Sequence, residues 1–281
     1  MRKAGFEGAL AAAERLSGRR AFLTSYPIDP QPRWGWGQPA NAALEALLAR
    51  DLDLFEAARK SVGAHLDFLA SIPAHGGPTT LHWDNDFWGA LDAGFQCASL
   101  IDRAPANYVE VGSGYSTMFA RRTIERHGLP TRITSIDPAP RAEVDALCDR
   151  VVRSPVQDVD PELFTALSPG DIVLFDGSHE AYTGADTVVM LLDLLPALPP
   201  GVLVGIDDVF LPWDYPADWT RRFYAEQYLL AAYLLGGAAG ACVVLPAFYL
   251  TRADDQPHEL DACAPRLGSF GKSFWLERTG R

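Results

Sequence analysis

Positive charge is the first shortage in this sequence of 281 residues: Lys and Arg total 24 against 36 Asp and Glu, a formal net charge of −12. Binding to a nucleic-acid backbone rests on clustered cations, so DNA and RNA are excluded as partners. An anionic membrane surface is excluded for the same reason. Cysteine is scarce as well. Cys97, Cys148, Cys242 and Cys263 stand far apart, with no CxxC and no histidine at zinc-finger spacing. Neither a disulfide framework nor a structural zinc site is expected, and reduced thiols in a cytoplasmic protein are the simplest expectation. A secretory leader is not expected either, because Glu7, Glu14 and Arg15 interrupt the hydrophobic core it would need. One charge-free stretch, residues 228–250, reaches the length of a membrane span. Gly236, Gly237, Gly240 and Pro246 divide it, which predicts a buried helix ending near Leu235 and a core strand at Cys242–Leu245. What the chain has in quantity is apolar mass: 48% hydrophobic residues, enough for a sizeable core.

The first hundred residues carry Ala, Leu and Glu at helical spacing over Ala9–Leu16, Ala40–Arg50 and Leu52–Leu69. The Pro- and Trp-rich stretch Tyr26–Pro39 and the segment Ile72–Pro78 separate them. Residues 1–87 are therefore expected to form a helical N-terminal extension, supplying a substrate lid or a homo-oligomer contact, and residues 88–281 the core. After Asn107 apolar runs alternate with helical patterns: Tyr108–Val111, Ile133–Ile136, Val151–Val152, Ile172–Phe175 and Val202–Ile206. Continuous apolar strands each followed by a helix indicate an α/β protein with a doubly wound, mostly parallel sheet. Helices are expected at Ser116–His127, Arg141–Cys148, near Pro161–Leu167, at Ala185–Leu195 and, as one long element, at Ala217–Leu235. Cys242–Leu245 and Ser273–Leu276 should close the sheet as an antiparallel edge.

In an open parallel sheet the ligand sits outside the carboxyl ends of the strands. Those positions read Glu110, Gly112, Ser113, Gly114 and Ser116 after the first strand, Asp137 after the second, Gln157 and Asp158 after the third, Asp176 to His179 after the fourth, and Asp207 with Asp208 after the fifth. Two glycines opening a helix let the backbone approach a ligand closely, and Asp137 is placed to take ribose hydroxyls. A dinucleotide site would want a third glycine where Thr117 stands, and it would not need Glu110.

This combination resembles the S-adenosylmethionine-dependent methyltransferases with a Rossmann-like fold. The stretches Val109–Thr117, Phe175–His179 and Ile206–Pro216, with Glu226–Leu230 and Ser273–Trp275, look like a bacterial group acting on small molecules. The resemblance implies seven strands in the order 3-2-1-4-5-7-6. It also implies Gly112, Ser113 and Gly114 around the methionine part of S-adenosyl-L-methionine, Asp137 on its ribose, and Gln157 with Asp158 near adenine. Glu110 would act through the loop and the cofactor ammonium. Ser116 stands in place of the third loop glycine.

In that strand order Asp176, Asp207 and Asp208 converge. Clustered carboxylates repel unless a cation or proton is shared among them, so either a divalent metal such as Mg2+ sits there, or Asp207 or Asp208 caps a segment or pairs with Arg221 or Arg222. Asp176 also borders the cofactor. His179 is the candidate general base, since a neutral alcohol must lose its proton to attack a methyl carbon; loop stabilisation is its other reading. Phe210–Trp219 forms either a wall of the substrate pocket or aromatic packing. His82, Trp83, Asn85, Asp86 and Trp88 make a second polar-aromatic cluster that either folds over the site or packs as a linker. The leading expectation is O-methylation of a small-molecule acceptor. Its rivals are a metal-independent N- or carboxyl-methyltransferase and a cofactor-binding partner subunit without turnover.

Overall fold

Apolar runs become the strands of one seven-stranded sheet. β1 (Asn107–Val111), β2 (Arg132–Ile136), β3 (Arg150–Val152), β4 (Ile172–Phe175) and β5 (Leu203–Ile206) pair in parallel, while β7 (Phe274–Arg278) runs antiparallel to both β5 and β6 (Ala241–Pro246). The order is β3-β2-β1-β4-β5-β7-β6, as expected. Every residue of β4 and β5 is buried, which is why those strands read as unbroken apolar runs rather than alternating ones. The computed structural model describes residues 28–77, 79–140, 143–253 and 271–280, with Ala12 and Arg15. The predicted helix Ala9–Leu16 lies almost wholly outside the described residues.

Contacts divide the chain into Met1–Gln31 and Pro32–Arg281, and everything below concerns the second unit. Within it, helices Ala42–Leu48 and Leu52–Gly63 pack on the sheet domain, the second of them against β6 and the helix Ala90–Arg103. Asn41 caps the first of these by accepting the N–H groups of Ala43 and Leu44. Among the described residues no helix is long and apolar enough to cross a membrane. The 228–250 stretch instead makes the helix Glu226–Leu235, β6 and the start of the helix Ala247–Ala253.

Two expected helices differ. In place of one helix over Ala217–Leu235 there is a 3-10 segment, Ala217–Arg222, then a break and the helix Glu226–Leu235. Phe223 at the break has φ +57°, and the N–H groups of Ala225 and Glu226 donate to the His179 carbonyl at 2.8 and 3.2 Å. That tertiary anchor, invisible to helical spacing, starts the second helix beside His179. The expected helix Arg141–Cys148 contains, among its described residues, only the 3-10 turn Asp145–Leu147. Asp149 directly after it accepts the Ile133 N–H and an Arg121 guanidinium, drawing the chain into β3 before a helix can lengthen.

Candidate active site

A cavity of about 660 Å3 opens at the carboxyl ends of β1, β2 and β4. Its floor is the loop Gly112, Ser113, Gly114, and its sides carry Asp137, Gln157 and Asp176. Gly112 has φ +79°, and a Cβ there would lie 1.9 Å from the Asp176 carbonyl oxygen, so only glycine lets the β1 and β4 loops meet. Gly114 is different: its φ is extended and a Cβ would meet no protein atom within 4 Å. Leaving out a side chain at that position keeps room for something other than the protein. Ser116, in place of a third glycine, is buried in the helix Tyr115–His127, and its carbonyl accepts from Gln96 Nε2 at 2.9 Å.

Asp137 ties the floor together, since its carboxylate accepts the N–H of Ser113 at 2.9 Å and of Ala139 at 2.8 Å. Free lone pairs still face the cavity it lines. Gln157 reaches the cavity and donates to the Gly184 carbonyl at 3.2 Å. Asp158 does not line this cavity; it faces a shallow groove on the far side of β3. Glu110 is fully buried beneath the loop, bonded to the hydroxyls of Tyr108 and Thr117. Burial pushes its carboxyl up to about 7, against the opposing hydrogen bonds from Ser116, Thr117 and Tyr108. Its hold on the cavity therefore runs through the first turn of the helix, where Thr117 in turn accepts the Gly114 N–H at 3.0 Å.

Residues from before the core complete the cavity, which Thr79, Phe87 and Trp88 also line. Phe87 stacks on Tyr115, and His82 meets the same tyrosine edge-on. Trp88 donates to Gln96, whose amide donates to Tyr108, so the polar-aromatic cluster is wired to Glu110. The Phe210–Trp219 segment divides: Phe210 and Tyr215 are packed in an aromatic cluster with Phe248, whereas Trp219 and Tyr224 stay half-exposed, Tyr224 with its ring 4.7 Å from that of His179.

Behind Asp176 lies a knot of charge. His179 Nδ1 meets Glu226 at 2.7 Å, and its Nε2 meets Asp176 at 3.1 Å and Asp208 at 3.6 Å. Burial alone would lower the imidazole pKa, but the bonds to Asp176 and Glu226 raise it well above the ordinary value. The ring is only 4% exposed, while the Asp176 side chain is 44% exposed. Asp208 stands at φ +53°, just after β5 has ended, which frees both neighbouring carboxylates from strand alternation and turns Asp208 onto Lys272 Nζ at 2.7 Å. Burial pushes Asp207 well above the usual carboxylate range, and it favours the protonated forms of Glu226 and Asp92 in the same way.

A metal at Asp176, Asp207 and Asp208 is not supported by this arrangement. Among the described residues no group of three His, Cys, Asp or Glu side chains is placed to hold an ion. The repulsion that called for one is relieved from within: Asp176 and Asp208 face His179 and Lys272, two cations against two carboxylates. Arg221 and Arg222 are not the partners of Asp207 or Asp208; the Arg222 guanidinium lies over Trp219, 3.7 Å from the ring centroid. Sequence reasoning missed Lys272, Glu226 as a partner of His179, and Asp92. The signal available was an acidic residue inside each of two strongly apolar helices, and it does not say what the carboxylates touch.

Residues 109–209 match a family described as a methyltransferase domain, a stretch that runs from β1 to just past β5. No curated protein matches. Among solved structures, the chain is similar to the SAH-bound methyltransferase PaMTH1 of Podospora anserina, 14% identical over 88% of this chain and 100% of that one, with a TM-score of 0.41. It is similar to the SAH-bound O-methyltransferase of Bacillus cereus, 18% identical over 84% and 100%, with a TM-score of 0.39. The methyltransferase MycE from the mycinamycin biosynthetic pathway, in complex with Mg, SAH and mycinamycin VI, is 20% identical over 76% of this chain and 54% of that one, with a TM-score of 0.40. Residues 109–209 therefore carry a methyltransferase domain, and the cavity lies at the carboxyl ends of its strands.

Proposed function

We propose that this enzyme transfers a methyl group to a hydroxyl of a small-molecule acceptor, without a metal ion, and that residues 32–87 form the lid over the acceptor. The observation that carries the reading is the cavity itself, where a glycine floor with open space at Gly114 lies beside the half-exposed carboxylate of Asp176. Gly112, Ser113 and Gly114 would hold the methionine part of S-adenosylmethionine, Asp137 its ribose and Gln157 its adenine edge. When bound, that molecule supplies a methyl carbon on a sulfonium; the new oxygen–carbon bond forms as the carbon–sulfur bond breaks, and its electron pair returns to sulfur.

The chain's own work is alignment, exclusion of water and one proton transfer. A hydroxyl proton becomes strongly acidic as the oxygen gains its third bond, to the methyl carbon, so a carboxylate is base enough to take it. Asp176 is that acceptor in this reading. His179, held on its other side by Glu226, keeps Asp176 aimed, a role in proton uptake one step removed from direct abstraction. Phe87, Trp88 and Tyr115 wall the cavity against water.

Calorimetric titration with SAH tests the first half, with NAD as the comparison ligand: SAH should bind and NAD should not. A methyl-acceptor screen tests the second. Against a found acceptor, Asp176→Asn and His179→Ala should each lower kcat by roughly 10^2- to 10^4-fold, the scale of a lost proton acceptor, with SAH affinity in His179→Ala nearly unchanged. SAH binding with no turnover on hydroxyl, amine or carboxylate acceptors would instead favour a partner subunit.

A further inference from the structure

Lys272 belongs to no motif, yet it sits where the two carboxylates after β5 need a cation. Its Nζ is 2.7 Å from Asp208 Oδ1, and its charge is the largest favourable one acting on the buried Asp207. The backbone at Lys272 is gripped as firmly as its side chain. Its N–H donates to Asp92, at 3.0 and 2.9 Å to the two oxygens, and its carbonyl accepts from Val209 N–H at 2.8 Å, directly beside Asp208. Asp92 is fully buried and also takes the N–H and hydroxyl of Ser273. A buried carboxylate spent on fixing two consecutive peptide groups is a costly way to anchor an ordinary strand lead-in. It is an intelligible way to hold one ammonium at one point. Asp208, thus neutralised on one oxygen, presents the other to His179 Nε2 at 3.6 Å, and the same nitrogen holds Asp176 at 3.1 Å.

We propose that Lys272 is a positioning residue whose ammonium is the built-in cation of this acidic cluster, standing in the place a divalent ion would take beside Asp208 and holding Asp208 against His179. The role deepens the methyl-transfer reading above and rests on it. An ammonium and a hydrated divalent ion compete for the same carboxylate oxygens. Removing the ammonium therefore leaves Asp176, Asp207 and Asp208 facing one another with one compensating charge fewer, a set of oxygen donors suited to a hard cation.

Mn2+, followed by electron paramagnetic resonance in the presence of saturating SAH, is the probe. The intact protein should bind no Mn2+ in a manner that Asp208→Asn abolishes. Lys272→Met and Lys272→Gln should bind Mn2+ at least tenfold more tightly than the intact protein, Lys272→Arg should behave like the intact protein, and adding Asp208→Asn to Lys272→Met should remove the gained site. A lysine of merely structural importance would lower Tm on replacement without creating an ion site. An Asp208-dependent Mn2+ site in the intact protein overturns the proposal by itself, whether or not the variants fold. Variants that bind SAH but gain no Mn2+ overturn it as well. SAH calorimetry on the intact protein keeps the two readings apart: absence of SAH binding sinks the methyltransferase assignment, whereas SAH binding with either adverse Mn2+ result sinks only the role of Lys272.

Discussion

Where the chain leaves β1, β2 and β3, its polar groups are half-exposed and answered by backbone: Asp137 by the N–H groups of Ser113 and Ala139, Gln157 by a carbonyl. Where it leaves β4 and β5, charges are buried and answered by other charges: His179 by Asp176, Asp208 and Glu226, and Lys272 by Asp208. The first region is a mould for a ligand, assembled locally from short sequence stretches. The second is a preorganised electrostatic cluster, in which Asp176 and His179 are near neighbours but Glu226, Asp92 and Lys272 arrive from far along the chain. A mould tolerates solvent; a device aimed at a developing charge works best where water is excluded. The two meet where Gly112 lies against the Asp176 carbonyl and the Asp176 N–H donates to the Val111 carbonyl at 2.8 Å.

Breaking that contact should have the largest effect. Gly112→Ala places a methyl group 1.9 Å from a carbonyl oxygen at a positive φ, so it should weaken SAH binding by roughly 100-fold, the scale of about 3 kcal/mol for a strained backbone position. Because Asp176 is displaced with it, kcat should fall as well. Gly114→Ala, with nothing in the protein to meet, should leave Tm unchanged; its effect should appear in SAH affinity alone. Calorimetry and thermal melting on the two variants read both outcomes.

Next in size is a contrast inside the cofactor side. Asp137→Ala should weaken SAH binding by about 1.5–3 kcal/mol if charge-assisted bonds to ribose are lost. Asp158→Ala should leave the same titration unaltered, because that side chain does not line the cavity. Equal losses would mean that the ribose and adenine positions extend further along β3 than the cavity does.

The smallest expected effect concerns Glu110, which lies under the loop where the two regions join. Its carboxyl is raised by burial from 4.5 to about 7. Between those values the folded chain binds more protons than the unfolded one, so its contribution to stability falls as pH rises from 4.5 through 7 and is flat above. Urea denaturation across that window should show this slope in the ligand-free protein, and Glu110→Gln should flatten it while keeping the bonds to Tyr108 and Thr117. A slope that persists in Glu110→Gln would assign it to another group.

How much of this was legible follows from how local each feature is. The glycine loop, Asp137 and Gln157 stand directly after strands whose apolar runs are unmistakable, so their meeting at one end of the sheet needed only the parallel topology. Asp158 follows the same rule and still faces away, because the 3-10 turn Val156–Asp158 rotates one neighbour into the cavity and the other out of it. The break at Phe223 escaped helical spacing because its cause, the His179 carbonyl, lies more than forty residues earlier in the chain.

By itself, then, the sequence determined the sheet and its order, and with them which residues stand at the strand ends beside the cavity. Period and strand-end position are local properties, and they are written in consecutive residues. Only the tertiary structure decided the burial and partners of the carboxylates after β4 and β5. Three acidic side chains in a row of loops look alike on paper, whether they await a metal, a proton or a lysine. The choice belongs to Lys272 and Glu226, which arrive from the segment leading into β7 and from the helix after the break. Electrostatic energy depends on distance in space and on burial, neither of which is carried by spacing along the chain.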